Sequence, residues 1–255
     1  MALKRIIGLV TVRNGWVVNS YQFSRWLPVG RPRFIVEELQ RWQVDEICLL
    51  DISRRPRGEW SALDMISDLV EHTLSTPLTF GGGLMSRADA VAVARAGAER
   101  VVLGRGVLAN PRLVADVSDA LGDQAVVLSA PVVEDGDTLA WLEPTSGATR
   151  PVADLSAALP SGWGGEILYQ DVAGDGMHGG FSLERLEKAL PKIPAVNLIA
   201  TGGIGDPELA DRVIRHDRVM GVAIGNFLHH TELAVPSVKL RLTTPVRPWE
   251  ATVPE

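Results

Sequence analysis

Leu198-Ile199-Ala200-Thr201-Gly202-Gly203-Ile204-Gly205-Asp206-Pro207 decides the architecture of this 255-residue chain. A short apolar run ends in paired glycines and passes into Asp-Pro. That pair is a helix cap followed by proline at the first helical position, where a missing N–H costs nothing. The stretch reads as strand, tight turn, helix. About 120 residues earlier, Leu78-Thr79-Phe80-Gly81-Gly82-Gly83-Leu84 repeats it. About 22 residues after each copy comes another apolar run ending in glycine, Leu103-Gly104-Arg105 in one case and Ile224-Gly225-Asn226 in the other.

Working outward, eight such runs occur: Ile6–Val12, Ile47–Ile52, Leu78–Phe80, Val101–Leu103, Ala125–Ser129, Ile167–Tyr169, Leu198–Ala200 and Val222–Ile224. They are continuous rather than alternating, as in parallel strands covered on both faces. Their starts are spaced by 41, 31 and 23 residues, then, after a step of 24, by 42, 31 and 24. Helical patterns fill the gaps. Trp60, Leu63, Ile66, Leu69, Val70 and Leu74 recur at helical spacing, Ser86 with Asp89 forms a capping box, Asn110-Pro111 is a second cap-then-proline pair, and Ser182 is a further cap. Eight strands alternating with helices predict an α/β fold, a closed (β/α)8 TIM barrel with a twofold half-barrel repeat. A doubly wound open sheet is the competitor, but it has no need of the repeat. Val132–Arg150, with turn pairs Asp135-Gly136 and Ser146-Gly147, is expected to be a β-hairpin insertion after strand five. Residues 1–242 form the barrel on this reading, and the Pro-rich residues 243–255 a loose tail.

Lys plus Arg number 25 against 31 Asp plus Glu, a net charge of −6 without a basic cluster, which argues against nucleic acid as the main partner. There is no run of 18 apolar residues, and Met-Ala-Leu-Lys-Arg is not the start of a signal peptide, so a cytoplasmic protein without membrane association is expected. The single cysteine, Cys48, excludes a disulfide framework and reads as a reduced core residue. His229-His230 has no carboxylate or thiol at ligand spacing, so no metal and no cofactor are expected.

Barrel function sits at the C-terminal ends of the strands. Glycines there bring backbone N–H groups close to an oxyanion, and a following helix start adds a favourable dipole. Gly82, Gly83, Gly104 and Arg105 form one candidate phosphate site. Gly202, Gly203, Gly225 and Asn226, with Asp175 and Gly176 from the strand-six loop, form the other. One glycine pair alone explains no more than a tight turn. Two copies related by the repeat, on opposite sides of one mouth, point to a long ligand with a phosphate at each end.

Arg5-Ile6-Ile7, Asn14-Gly15-Trp16-Val17-Val18, Gly30-Arg31-Pro32, Val44-Asp45-Glu46-Ile47, Leu49-Leu50-Asp51-Ile52, Phe80–Gly83, Asn110-Pro111, Gly165-Glu166-Ile167-Leu168, Asp175-Gly176 and Thr201-Gly202-Gly203 follow one another across roughly residues 4–240. In this order the chain resembles the histidine-biosynthesis barrel family, and within it the cyclase subunit of imidazole glycerol phosphate synthase. The resemblance implies ammonia delivered from a class I glutaminase at the N-terminal face, reacting at the mouth with a bisphosphorylated ribotide. It also implies a gate of charged residues at the strand starts, which fall here on Arg5, Glu46, Arg100 and Glu166, with arginine at position 100 in place of the usual lysine. Family catalysis rests on two aspartates, at the ends of strands one and five. This chain has Thr11 and Pro131 there, and neither can titrate near neutrality.

The remaining catalytic candidates are Thr11 itself, Asp51 at the end of strand two, and Asp171, which with Gln170 and Asp175 crowds the end of strand six. His178 lies in the same loop between glycines. Arg54, Arg55 and Arg57 follow strand two and either steer an anion or are simply solvated. The substitutions resemble divergent relatives found beside a glutaminase and a sugar amidotransferase in surface-polysaccharide gene sets, which lose the strand-one aspartate and keep the Gly-Arg-Pro and Asp-Glu-Ile elements. Three readings follow: an ammonia-accepting subunit acting on a phosphorylated or nucleotide-linked substrate outside histidine synthesis, an orthodox cyclase with substituted residues, and a non-catalytic scaffold for a glutaminase.

Overall fold

The computed structural model describes residues 3–54, 62–72, 74–177 and 180–250. Trp60, Arg55, Arg57 and His178 lie outside the described residues. Eight parallel strands close on themselves: β1 (Arg5–Arg13), β4 (Glu46–Asp51), β5 (Leu78–Gly81), β6 (Arg100–Leu103), β7 (Val126–Asp135), β10 (Glu166–Asp171), β11 (Asn197–Thr201) and β12 (Val219–Ile224), which pairs back onto β1. Outside them pack α1 (Pro32–Arg41), α2 (Ala62–His72), α3 (Arg87–Arg95), the short α4 (Arg105–Ala109), α5 (Leu113–Leu121), α6 (Leu183–Ala189), α7 (Pro207–Ile214) and α8 (Ala234–Arg241). This is the expected (β/α)8 barrel with its duplicated halves.

Alternation along the strands explains the continuous apolar runs. In β1, Ile6, Val10 and Val12 face the helices and join the large core between sheet and helix layer, while Ile7 and Leu9 face the barrel axis. Both faces are therefore dry. The caps behave as read: the Ser86 hydroxyl accepts from Asp89 N (3.2 Å), Ser182 from Arg185 N (3.1 Å), and the Asp206 carboxylate from Leu209 N (2.7 Å). At Asn110-Pro111 the structure differs. Asn110 accepts from Arg112 N in a turn, and α5 starts only at Leu113.

The predicted hairpin is present. β7 runs on into an antiparallel partner β8 (Thr138–Leu142), which pairs with β9 (Thr149–Pro151). A second hairpin was not foreseen: β2 (Trp16–Tyr21) and β3 (Arg25–Gly30) follow β1 as an antiparallel meander over the mouth. Its first turn, Asn14-Gly15, has φ of 51° and 76°, the left-handed pair that fits strand twist. The tail expected to be loose is tied down as far as it is described. Lys4 N donates to Pro245 O (3.3 Å), Lys4 bridges to Val246, and Gln43 bonds Glu250 through both ends of its side-chain amide. No helix among the described residues is long and apolar enough to cross a membrane.

Candidate functional site

Four strands start with a charged residue that points to the axis, and these four side chains meet in one ring. Arg5 reaches Glu46 (3.1 Å) and Glu166 (2.6 Å), and Arg100 reaches the same two carboxylates (3.4 and 2.5 Å). Each guanidinium thus bridges both glutamates, closing a neutral ring at the base of the barrel. The ring is largely desolvated, with Glu46 side chain only 4% exposed and Glu166 11%. Burial disfavours the Glu166 charge, but the Arg100 field and the bond from Arg5 outweigh it and hold the carboxyl below its ordinary value. Burial likewise opposes the Arg5 charge, and the bond and field of Glu166, with Glu46 and Asp45, more than compensate. A fifth member escaped sequence reading: the buried Thr79 hydroxyl donates to Glu46 Oε1 (2.5 Å). A second buried ion pair, Lys239 with Asp45 (2.7 Å), lies behind the ring, and Asp45 also accepts from Ile6 N.

Above the ring the axis is apolar. Ile7, Cys48, Val102, Val127, Leu168 and Ile199 pack as one interior cluster. Burial, then the nearby Glu46 charge, pushes the Cys48 thiol up, so it stays protonated. Period two along each strand then selects the residues that face the axis at the mouth. On β1 it selects Thr11. On β7 it selects Ser129 and Pro131, and on β10 Gln170 rather than Asp171. The Ser129 hydroxyl donates to Gln170 Oε1 (2.8 Å).

Asp171 is accordingly turned away from the axis. It is 1% exposed and its carboxylate is saturated: Arg185 Nε and Nη2 bind its two oxygens (3.0 and 2.8 Å), and Ser182 N donates to it (2.8 Å). This sequence-level acid/base candidate instead anchors the strand-six loop to α6. Asp51, its counterpart 120 residues earlier, is also on the off-axis parity and accepts from Ser53 N (2.9 Å). Of the three catalytic candidates only Thr11 lines the mouth.

Around Thr11 a cavity opens beside the second glycine motif, lined by Gly202, Gly203, Gly225, Asn226, Asp175 and Gly176 among others. The sequence grouped these six residues, and the structure brings them together. Gly202 and its repeat mate Gly82 have φ of 102° and 129°, and a Cβ on either would strike the backbone carbonyl of Asp171 or Asp51 respectively. These glycines let two adjacent strand ends touch, at equivalent places in the two halves. Across the mouth, Gly83 and Arg105 of the first motif stand exposed, with Gly82 and Gly104 half-buried beside them.

The hairpin contributes what sequence reading missed. Its Val18 and Ser20 line the cavity, as does His229 from the short turn after β12. Ser20 Oγ donates to Asp175 Oδ2 (2.6 Å), and the Asn226 amide brackets the Ser20 backbone, accepting from its N–H (3.2 Å) and donating to its carbonyl (2.7 Å). Asp175 and Asn226 therefore hold the hairpin as well as face the cavity. Burial raises the Asp175 proton affinity despite the bonds from Ser20 and Phe23. Burial, with His230 nearby, lowers the His229 pKa to about 4, so its ring is neutral. The cavity thus offers backbone and neutral donors beside one reluctant carboxylate.

The family model described as histidine biosynthesis protein matches residues 5–234. The imidazole glycerol phosphate synthase subunit HisF of Exiguobacterium sibiricum is 33% identical over 212 residues, 82% of this chain and 84% of that protein. The proteins of the same name from Geobacillus thermodenitrificans and Halalkalibacterium halodurans are each 30% identical, over 247 and 246 residues, covering 95% of this chain and 97% of theirs.

Proposed function

Since the chain belongs to the histidine biosynthesis protein family and is similar to its HisF members across most of its length, we propose that it is a HisF-like barrel subunit of a heteromeric glutamine amidotransferase. It accepts ammonia from a class I glutaminase docked on its N-terminal face and uses or forwards it at the mouth, on a phosphorylated or nucleotide-linked substrate outside histidine formation, such as a sugar to be amidated. The observation that carries this reading is the closed Arg5–Glu46–Arg100–Glu166 ring beneath an apolar axis. A neutral small molecule can cross such an interior, whereas a bare cation pays heavily for desolvation.

The ring is the gate, and its zero net charge suits a passage for neutral ammonia. Gly202, Gly203 and Gly225 hold a phosphate through their backbone. Gly82, Gly83, Gly104 and Arg105 hold a second across the mouth. Thr11, Ser129 and Gln170 orient the reacting end by hydrogen bonding. With threonine and proline where the family's two aspartates stand, the cyclase proton transfers lack their acid and base, which separates this protein from histidine synthesis. Expression in a histidine auxotroph lacking its own cyclase subunit should give no growth, and growth would return the protein to the orthodox reading. A class I glutaminase from the same source should co-elute with this chain and gain activity, and Glu46→Arg should weaken both effects. A complex whose glutaminase releases all its ammonia to solution, whatever ligand is added, would leave the scaffold reading.

A further inference from the structure

The outer part of the β2–β3 hairpin carries a feature that the ammonia passage does not use. The Arg13 guanidinium lies 4.1 Å from the ring centroid of Trp26, and that of Arg31 lies 3.9 Å from the centroid of Trp16. Arg13 is cross-strand partner to Trp16, and Trp26 to Ser20. Trp16, Val18 and Ser20 alternate onto one face of β2. The two stacks therefore share the hairpin face whose inner end, Val18 and Ser20, lines the cavity at Gly203. The third pair, Arg25 over Tyr21 at 5.9 Å, sits at opposed positions on the other parity and belongs to the far face.

Neither Arg13 nor Arg31 pairs with a carboxylate among the described residues; Arg31 bonds only the Gly15 carbonyl (3.3 Å). In a chain of net charge −6, two guanidiniums without a carboxylate partner among the described residues are, on one small face, a local reversal of sign. Trp16 is 43% exposed, so its stack is open to a further planar group. The four steps from Trp16 to Ser20 span about 13 Å of strand, comparable to an extended nucleoside diphosphate with its base at Trp16 and its phosphates at the glycines.

We propose that this face is a nucleobase platform and that the phosphorylated substrate of the mouth is a nucleoside-diphosphate compound. The base stacks on the indole and guanidinium planes of Trp16, Arg31, Trp26 and Arg13, while the diphosphate runs past Ser20 to Gly202 and Gly203. Stacking tolerates any base, and the arginines add cation–π attraction. The proposal rests on the phosphate reading of the glycine site, and the test separates the two.

The full chain is titrated by calorimetry with uridine diphosphate, adenosine diphosphate, inorganic pyrophosphate and a short dT oligonucleotide, with indole fluorescence followed in parallel. Both nucleoside diphosphates should bind at least about ten-fold tighter than pyrophosphate and quench fluorescence. Trp16→Leu and Arg31→Gln, both at exposed positions, should each lose about ten-fold in nucleoside diphosphate affinity and leave pyrophosphate affinity unchanged. Equal affinity for pyrophosphate and the nucleoside diphosphates, or variants that bind the latter like the parent, overturns the platform and leaves the phosphate site standing. An oligonucleotide that outcompetes both nucleoside diphosphates also overturns it. If nothing phosphorylated binds, the phosphate reading falls and the platform with it.

Discussion

Glutamate-to-glutamine substitution in the basal ring tests its electrostatics with little change of shape. The ring is neutral, two guanidiniums against two carboxylates, and either single change leaves it at +1 in a largely dry site. Breaking a buried pair from one side costs about 3–5 kcal/mol because the partner's charge is left uncompensated. The contacts are unequal. Glu166 holds Arg5 and Arg100 at 2.6 and 2.5 Å, Glu46 at 3.1 and 3.4 Å. Glu46→Gln also keeps an acceptor for the Thr79 hydroxyl. Glu166→Gln should therefore cost about 4 kcal/mol and Glu46→Gln about 2–3 kcal/mol. Adding Arg100→Gln to Glu166→Gln restores neutrality and should recover about 1–3 kcal/mol relative to additivity. The pH sign follows from Glu166, whose folded-state proton affinity is depressed. Its stabilising contribution is present above the unfolded carboxyl pKa of about 4.3 and is lost as pH falls through the lower folded value. Urea denaturation from about pH 3 to pH 7 should show that acid-side loss in the parent and a flatter profile in Glu166→Gln. A cost below about 1 kcal/mol for Glu166→Gln, or a larger one for Glu46→Gln, would refute the picture of a coupled, desolvated ring.

Three further outcomes follow from the mouth. Asp175→Asn removes a buried carboxylate from the proposed anion site while keeping an acceptor for Ser20; calorimetry at neutral pH should show phosphate binding about ten-fold tighter, with a weaker gain on acidification than in the parent, whose Asp175 takes a proton more readily than usual. Gly202→Ala, at φ +102° against the Asp171 carbonyl, should cost about 2 kcal/mol or more in thermal unfolding, whereas Gly136→Ala, at φ +58° with open space around it, should cost about 1 kcal/mol or less. Arg185→Met leaves Asp171 charged and buried, so a loss of about 3 kcal/mol is expected, and Asp171→Asn in the same chain should restore part of it; no recovery in the double variant would mean that the pair matters for packing rather than charge.

The barrel was legible because a strand buried on both faces must read as a continuous apolar run, and eight runs at repeated spacing leave few topologies. The ring is legible through the family resemblance, which implies charged residues at these four strand starts. Choosing between neighbours at the strand ends needed only parity. With Glu166 and Leu168 on the axis, Gln170 follows and Asp171 does not; with Glu46 and Cys48 on the axis, Asp51 does not. Asp51 and Asp171 carry acid/base chemistry on the wrong parity. The hairpin was half legible. Asn14-Gly15 is a strong two-residue turn signal between apolar runs. The second turn could not be read, because Gln22 and Phe23, both at φ above +50°, are residues that seldom adopt that conformation. Tertiary bonds hold them there: Gln22 N donates to Asp175 O (3.0 Å), its side chain to Ala173 O (3.0 Å), and Phe23 N to the Asp175 carboxylate (3.4 Å).

That strained turn ties the hairpin to the same carboxylate that faces the cavity, and this bears on how the mouth works on the proposed reading. The axis-facing polar groups there, Thr11, Ser129 and Gln170, exchange hydrogen bonds but no protons near neutrality. His229 is held neutral, and Asp171 is spent on Arg185. Among the described residues Asp175 is left as the one carboxylate lining the cavity, and it is bound to Ser20. A phosphate arriving at Gly203 meets that carboxylate, and the mutual repulsion is relieved if Asp175 takes up a proton, which its burial already favours. The bond from Ser20 stabilises the ionised carboxylate, so protonation weakens the latch. Ligand binding, the charge of Asp175 and closure of the hairpin are then one coupled equilibrium. On the proposed reading, uptake of an anionic substrate loosens the Ser20–Asp175 bond that ties the hairpin to the cavity wall.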